Sequence, residues 1–136
     1  MGRFKPLFIA AGVLLLIVIV LEVYDQVGVS LIEARAAATS ANLNSIWQKI
    51  AEFRATHGRF PRDAAELGLQ PDMLLDVMSG REFVWTPETP DGTKRVRVVW
   101  QPAPYRTGPW PFGEKSRKTL FSDGIIDDGV SENAPK

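Results

Sequence analysis

Several shortages in this sequence exclude whole classes of protein. The chain contains no cysteine, which excludes disulfides, thiolate metal sites and covalently attached haem. Its 16 lysine and arginine residues are balanced by 16 aspartate and glutamate residues, so it lacks the net positive charge of a typical nucleic-acid-binding protein. Its length of 136 residues allows one small domain. We therefore expect a single domain with no nucleic-acid partner.

Catalytic motifs are equally scarce. The single histidine, His57, is predicted to lie in the last turn of a helix, where helix capping is the expected role. No serine lies in a nucleophile elbow, and the sequence contains neither a glycine-rich phosphate loop nor an HExxH motif. The sequence therefore predicts a non-enzymatic protein without a cofactor, apart from the calcium ion considered below.

Apolar residues, by contrast, are concentrated near the start of the chain. Residues 7–21 have no polar side chain, and extension to residue 24 adds only one acid, Glu22. As a helix, residues 7–24 are about 27 Å long, close to the hydrocarbon thickness of a bilayer. The run exceeds the core of a usual signal peptide, and no small-x-small cleavage site follows within reach. We predict a retained transmembrane signal anchor over residues 7–24, with Glu22 as a boundary residue.

The charges on either side of this run predict its orientation. Arg3 and Lys5 precede it, and the next cation along the chain is Arg35. The positive-inside rule then places residues 1–6 in the cytoplasm. Residues 25–136 are expected on the other side of the inner membrane, which in a bacterium is the periplasm. The sequence thus predicts a single-pass membrane protein that contacts lipid.

A second, amphipathic helix is predicted over residues 29–57. Its apolar residues recur at helical spacing and form one stripe, made of Leu43, Ile46, Trp47, Ile50 and Phe53. Gly58 and Pro61 supply a stop signal after it. Gly28 is the weak point between the two helical segments, where a bend is expected.

The remainder of the chain predicts a small antiparallel sheet. Two short helical turns precede residues 81–86 and 94–101, which read as strands joined by an Asp91-Gly92 turn. Residues 118–122 are expected to add a third strand. Residues 102–113 contain four prolines and fit neither a helix nor a central strand. An amphipathic helix laid across such a sheet predicts an α+β fold with two layers.

One stretch resembles a known family. The sequence AEFRATHGRFPRDAAELGL is similar to the segment of type IV pilin-like proteins, notably the major pseudopilin of type II secretion, in which the long helix ends. The matching positions are Phe53, Gly58, Phe60, Pro61 and Leu67. The tail LFSDGIIDDG also looks like the end of that family's domain. The resemblance implies a pilin-like fold for residues 25–136.

The resemblance also implies a calcium site, which would fall on Asp123, Asp127 and Asp128. Three carboxylates within six residues are able to form an oxygen-ligand cage. An ordinary acidic turn is the competing explanation for the same residues.

The family's processing motif is missing from its proper place before the hydrophobic segment. The segment GVSLIE, residues 28–33, resembles a prepilin-peptidase site, but the apolar helix precedes it rather than follows it. Cleavage after Gly28 would release the domain from its anchor, so we expect none there.

Two surfaces are predicted to bind partners. Tyr105, Trp110 and Phe112 lie on a proline-stiffened segment, and such aromatics are favoured at interfaces. They are equally suited to fold back over the open sheet. The second surface is the alanine-rich face of the helix, with Ala34, Ala38 and Ala41, where small side chains let another helix approach, although helix propensity alone also explains alanine there.

Together these features predict a structural or accessory subunit of a larger membrane complex, of a photosynthetic, respiratory or secretion type. The first alternative is a pseudopilin-class component of a type II secretion or type IV pilus machine. The second alternative is a membrane-tethered periplasmic binding module.

Overall fold

The computed structural model describes residues 5–86, 89–108 and 113–130. Within these ranges the chain forms an α-helix, α1 (Lys5–His57), followed by two 3-10 turns (Ala64–Leu67 and Pro71–Leu74) and a set of short strands. The strands are β1 (Leu75–Asp76), β2 (Arg81–Glu82), β3 (Val84–Trp85), β4 (Arg97–Trp100), β5 (Tyr105–Thr107), β6 (Glu114–Phe121) and β7 (Ile126–Val130). The predicted α+β class is confirmed.

Helix α1 is 53 residues long, about 80 Å at 1.5 Å per residue. No proline occurs between Pro6 and Pro61, so nothing removes a backbone hydrogen bond along its length. The two predicted helical segments are therefore joined into one helix, and Gly28 lies inside it.

The predicted end of the helix is confirmed. Gly58 adopts the left-handed conformation with φ of 68°, and its N–H donates to the carbonyl of Arg54 at 2.8 Å. The His57 ring stacks on Phe53 with 4.0 Å between ring centroids. His57 Nδ1 lies 3.1 Å from the carbonyl oxygen of Phe53, one turn earlier. His57 thus belongs to the end of the helix, as its position in the sequence indicates.

The loop after α1 is held by a surface ion pair. Both terminal nitrogens of the Arg59 guanidinium donate to Glu66, at 3.0 and 2.9 Å, and the Arg62 N–H donates to the same carboxylate at 2.8 Å. These hydrogen bonds, that of Arg59 first, lower the pKa of Glu66 from 4.5 to about 2. The same pairing raises the pKa of Arg59. This loop joins the helix to the sheet.

All strand pairs are antiparallel, and β6 is the centre of the larger sheet. Its strand order is β3-β4-β6-β5, with β7 on the other side of β6. Strand β4 pairs with the end of β6 near Leu120, and β5 pairs with the end near Ser116. Strands β1 and β2 form a separate two-stranded pair. The predicted hairpin between the first two strands of the sheet is confirmed by the pairing of Val84 with Trp100.

Three details of the sheet were not predicted from the sequence. The alternation in β4 is interrupted by a register shift between Arg97 and Val99, so that Val98 and Val99 are both buried. The third strand begins at Glu114 rather than at residue 118, because β5 extends the pairing of β6 toward its start. Strand β7 is an additional strand, beyond the three that the sequence predicts.

The core lies between α1 and the sheet. Leu43, Ile46 and Ile50 of α1 are fully buried, and the other core residues are Phe60, Phe83, Val98, Val99 and Leu120. Trp47 packs against the turn at Gly124, where φ is 84° and an added Cβ would lie 2.5 Å from the indole ring. A two-layer head, helix on sheet, is thus built on the last third of α1.

Candidate functional site

The N-terminal part of α1 is apolar and bare. Residues 9–27 are exposed all around the helix, including Leu14 at 66%, Leu15 at 62% and Leu16 at 63%. The most apolar 18-residue window has a mean hydropathy of 2.0, and no residue in it is buried inside the protein. A helix that is apolar on every side needs an apolar surrounding, which a bilayer provides. The structure therefore contains one helix near its start that is long and apolar enough to cross a membrane.

A groove lies where this apolar stretch meets the head. One wall is α1 from Tyr24 to Ile32, and the other is formed by Arg106, Gly108 and Gly113 at the β5–β6 end of the sheet. The groove has a volume of about 260 Å³. The end of the sheet that carries β5 therefore lies beside the residues that directly follow the apolar stretch.

A chain of buried polar side chains connects α1 to the sheet, and it begins at Asp76. The Asp76 carboxyl group is fully buried. It accepts hydrogen bonds from the Thr39 hydroxyl of α1 at 3.0 Å, from the Gln101 amide at 2.8 Å and from the Ser79 hydroxyl at 2.7 Å. The backbone N–H groups of Met78 and Ser79 add two more at 3.1 Å each. Five donors therefore satisfy this buried acid.

The polar chain continues from Gln101 across the sheet. The Gln101 side-chain oxygen accepts from the Lys118 backbone N–H at 2.7 Å. The Lys118 ammonium, whose side chain is only 7% exposed, donates to both oxygens of Asp128 at 2.7 and 2.9 Å. These contacts join α1 to the sheet, so this chain of polar side chains fixes the orientation of the helix on the sheet.

Sequence reasoning did not identify this polar chain. The signal for Thr39 was its spacing, because it lies four residues before Leu43 and continues the buried stripe of α1. No local pattern distinguished Asp76 from the other acids of the sequence, since its five donors come from three separate parts of the chain.

The three predicted calcium ligands lie on or beside β7. Asp123 forms an ion pair with Arg95 at 3.0 Å and accepts the Ile125 N–H at 3.1 Å, and Asp128 is paired with Lys118. Asp127 and Asp128 are consecutive strand residues and point to opposite faces. Across the described ranges, no group of three or more acidic, histidine or cysteine side chains is arranged to hold a metal ion. The calcium site stays a prediction, and two of its three ligands already have cationic partners.

The predicted aromatic surface is only partly described. Trp110 and Phe112 lie outside the described residues. Tyr105 begins β5 and is 8% exposed, with its hydroxyl 3.4 Å from Asp128 and its ring 5.9 Å from the Lys118 ammonium. Tyr105 therefore folds back onto the sheet, which is the second of the two roles considered for it.

The predicted alanine face of α1 is open in part. Ala34 and Ala41 are exposed, and Ala38 is half-buried beside Thr39. These residues occupy the stretch of α1 between the membrane-compatible part and the fully packed part, where a neighbouring helix has access to small side chains.

Comparisons with known proteins give no relative: no protein-family model, no curated protein and no solved structure matches the chain.

Proposed function

We propose that this protein is a single-pass membrane protein, without enzymatic activity, that serves as a structural or accessory subunit of a larger membrane complex. The observation that carries the proposal is that the two ends of α1 have different surroundings. Its bare apolar stretch suits lipid, and its last third is the core of a small head. One uninterrupted helix therefore fixes the position of the head at the membrane surface.

In the proposed topology, the N-terminus is cytoplasmic and the head lies in the periplasm, with α1 in the inner membrane. The asymmetry of charge supports this orientation, because Arg3 and Lys5 precede the apolar run and no cation follows until Arg35. The proposed head is pilin-like. Its support is the segment after α1, in which Gly58 ends the helix, Phe60 enters the core and Leu67 packs against it.

Topology is tested by labelling, which the lack of cysteine makes direct. A Lys94→Cys variant carries one thiol on an exposed part of the head. A membrane-impermeant maleimide added to intact spheroplasts is expected to label it without detergent. A Gly2→Cys variant is the matched control and is expected to react only after the membrane is opened. Labelling of position 2 alone in sealed spheroplasts would contradict the proposed orientation.

Subunit function is tested by purification in a mild detergent from the source cells. A C-terminally tagged chain is expected to co-migrate with stoichiometric membrane subunits. Ala34→Leu combined with Ala41→Leu is expected to reduce that co-migration, because bulk on the alanine face prevents close helix approach. Gln48→Leu, an exposed position on the packed part of α1, is the control. A protein that runs alone as a monomer would contradict the subunit role and favour a tethered binding module.

A pseudopilin-class component is the second candidate. The observation that favours it is the same long helix, apolar at its start and packed on an antiparallel sheet at its end. The intact mass of the purified protein separates the two candidates. A chain beginning at Val29 would indicate processing after Gly28, and a chain that retains the apolar stretch is expected for the anchored subunit.

A further inference from the structure

Three cations lie together on one face of the β5–β6 pair, opposite to the face that carries Leu120 of the core. Arg106 in β5 is directly opposite Lys115 in β6, and Arg117 follows two residues later on the same side of β6. Residues directly opposite in an antiparallel pair share a face, as do residues two apart in a strand. We call Arg106, Lys115 and Arg117 the basic face.

One acid of the described chain, Asp127, lies on the same face of the sheet as these three cations, opposite Thr119 of β6. Within the described residues, each ion pair involves residues outside the basic face. The buried Nε of Arg117 has no hydrogen-bond partner among the described residues. Strand β7 places Gly129 opposite Arg117, with no atom within 4 Å of where a Cβ would be. Like charges directly opposite each other, as Arg106 and Lys115 are, destabilise a strand pair. An anion from outside the chain would supply an acceptor for the Nε of Arg117 and would reduce the repulsion between Arg106 and Lys115.

The basic face lies at the end of the head nearest the apolar stretch. Arg106 borders the groove whose other wall includes Tyr24 and Asp25. Tyr24 is the last residue of the predicted transmembrane segment, residues 7–24, and Asp25 is the first residue after it. If the apolar stretch fills the hydrocarbon layer, this end of the sheet is at the depth of the lipid headgroups.

We propose that the basic face binds the phosphate groups of anionic phospholipids in the leaflet from which α1 emerges. This inference rests on the proposed function, because it requires α1 to span the membrane. The nearby acids do not cancel the basic face. Asp127 is one carboxylate against three cations, Glu114 points to the opposite face of the sheet, and Asp25 lies on the α1 wall of the groove. Each net positive charge near an anionic surface raises the ratio of docked to undocked heads about fivefold, so the three cations less the one charge of Asp127 raise it roughly thirtyfold.

The test uses the 136-residue chain in lipid nanodiscs, with a fluorophore on a single introduced cysteine at Glu114→Cys. Glu114 is exposed and adjoins Lys115 in the sequence. Quenching by lipids brominated near the headgroup reports contact between the head and the bilayer. Discs that contain phosphatidylglycerol are expected to quench the label more strongly than discs of phosphatidylcholine alone. A high salt concentration of about 1 M, at which the Debye length is about 3 Å, is expected to remove the difference.

Two matched variants locate the effect. Arg106→Gln, Lys115→Gln and Arg117→Gln together are expected to abolish the gain in quenching. The control combines Arg62→Gln, Arg81→Gln and Lys94→Gln, which removes the same charge from exposed positions elsewhere and is expected to retain the gain. Because Arg117 is half-buried, a double variant limited to Arg106→Gln and Lys115→Gln removes only exposed cations and is expected to lose most of the gain.

The outcomes separate this inference from the proposed function. Co-sedimentation of the label with the discs reports whether α1 inserts, and a chain that fails to insert contradicts the proposed function itself. Equal quenching in neutral and anionic discs, from a chain that does insert, would overturn the basic-face proposal alone. A control variant that loses as much quenching as the basic-face variant would also overturn it, because net charge rather than position would then explain the effect.

Discussion

The two ends of α1 share one backbone and differ in what surrounds their apolar side chains. Leu15 is 62% exposed and has apolar neighbours on every side of the helix, whereas Ile46 is fully buried in a stripe that faces the sheet. The first end is suited to lipid and the second to a protein core. Hydrophobic content alone therefore does not indicate a protein core, because the distribution of apolar side chains around the helix determines whether lipid or protein suits it.

The change between the two ends comes at Thr39, the first fully buried residue of α1 in the described part of the chain. Its hydroxyl is fixed by Asp76, and the apolar contacts of Leu43, Ile46 and Ile50 begin one turn later. The hydrogen bond between Thr39 and Asp76 therefore lies where the packing of the head against α1 begins.

The largest effect is expected for Asp76→Ala. This substitution leaves the buried Thr39 hydroxyl and the buried Gln101 amide without an acceptor, and each such group costs about 1–3 kcal/mol. The half-buried N–H groups of Met78 and Ser79 lose the same acceptor. The free energy of unfolding of the head is expected to fall by about 4 kcal/mol or more. Urea unfolding of the chain in detergent micelles, followed by tryptophan fluorescence, measures it.

Asp72→Ala is the matched control for Asp76→Ala, because Asp72 is an exposed acid on the neighbouring 3-10 turn. Its effect is expected to stay within about 0.5 kcal/mol. Similar losses for both variants would mean that the head does not depend on the contact with Thr39.

A smaller effect is expected for Ile46→Ala, which leaves a cavity in the core. The free energy of unfolding is expected to fall by about 3 kcal/mol. Leu16→Ala is the control, since its side chain is 63% exposed and contacts no part of the head. In the same unfolding assay Leu16→Ala is expected to match the parent chain. If Leu16→Ala lowered the free energy of unfolding as much as Ile46→Ala, the proposed difference between the two ends of α1 would be contradicted.

Gly124→Ala tests the contact between the packed end of α1 and the turn before β7. The residue has φ of 84°, and its Cβ would lie 2.5 Å from the Trp47 indole. Strain and overpacking together are expected to lower the free energy of unfolding by about 2 kcal/mol and to shift the fluorescence of Trp47. Gly129→Ala is the control, with no atom within 4 Å of the added Cβ. Equal stability of both variants would contradict the packing of Trp47 on this turn.

The smallest effect is expected for Glu66→Gln, in the exposed loop beyond α1. The folded-state pKa of Glu66 is lowered to about 2 from 4.5, so its carboxylate stabilises the fold above pH 4.5. That contribution is lost as the pH falls from 4.5 to about 2. Unfolding curves are therefore expected to show a small deficit for the variant at pH 7 that disappears in this range. A deficit that persists unchanged at pH 2 would contradict the pairing with Arg59.

Much of the architecture follows from local patterns in the sequence. The apolar run, the stripe and the stop at Gly58 each depend on residues within one or two turns of each other. The helix, its stop and the stripe from Leu43 to Ile50 are confirmed, whereas Phe53 lies outside the core and stacks on His57. The hairpin of β3 and β4 was likewise predicted from neighbouring residues. Local spacing was sufficient because helices and hairpins are made of contacts close in sequence.

The features that were missed depend on distant contacts. Strand β7 was not predicted, because Asp127, Asp128 and Gly129 are poor strand formers. Its pairing with the long strand β6 outweighs that preference. The bulge in β4 and the burial of Asp76 are set by partners elsewhere in the chain. Of the predicted site residues, Tyr105 and Asp128 turned out to be neighbours, which their spacing in the sequence gave no reason to expect.

Because α1 has no break, the length of the helix fixes the direction in which the head faces around the helix axis. Each residue in an α-helix adds a rotation of about 100° and a rise of 1.5 Å. Inserting one alanine between Gly28 and Thr39 would therefore swing the head by about a quarter turn around the helix axis, with almost no change in height. The number of residues between Gly28 and Thr39 therefore sets the direction in which the sheet faces around the helix axis, whichever residues occupy those positions.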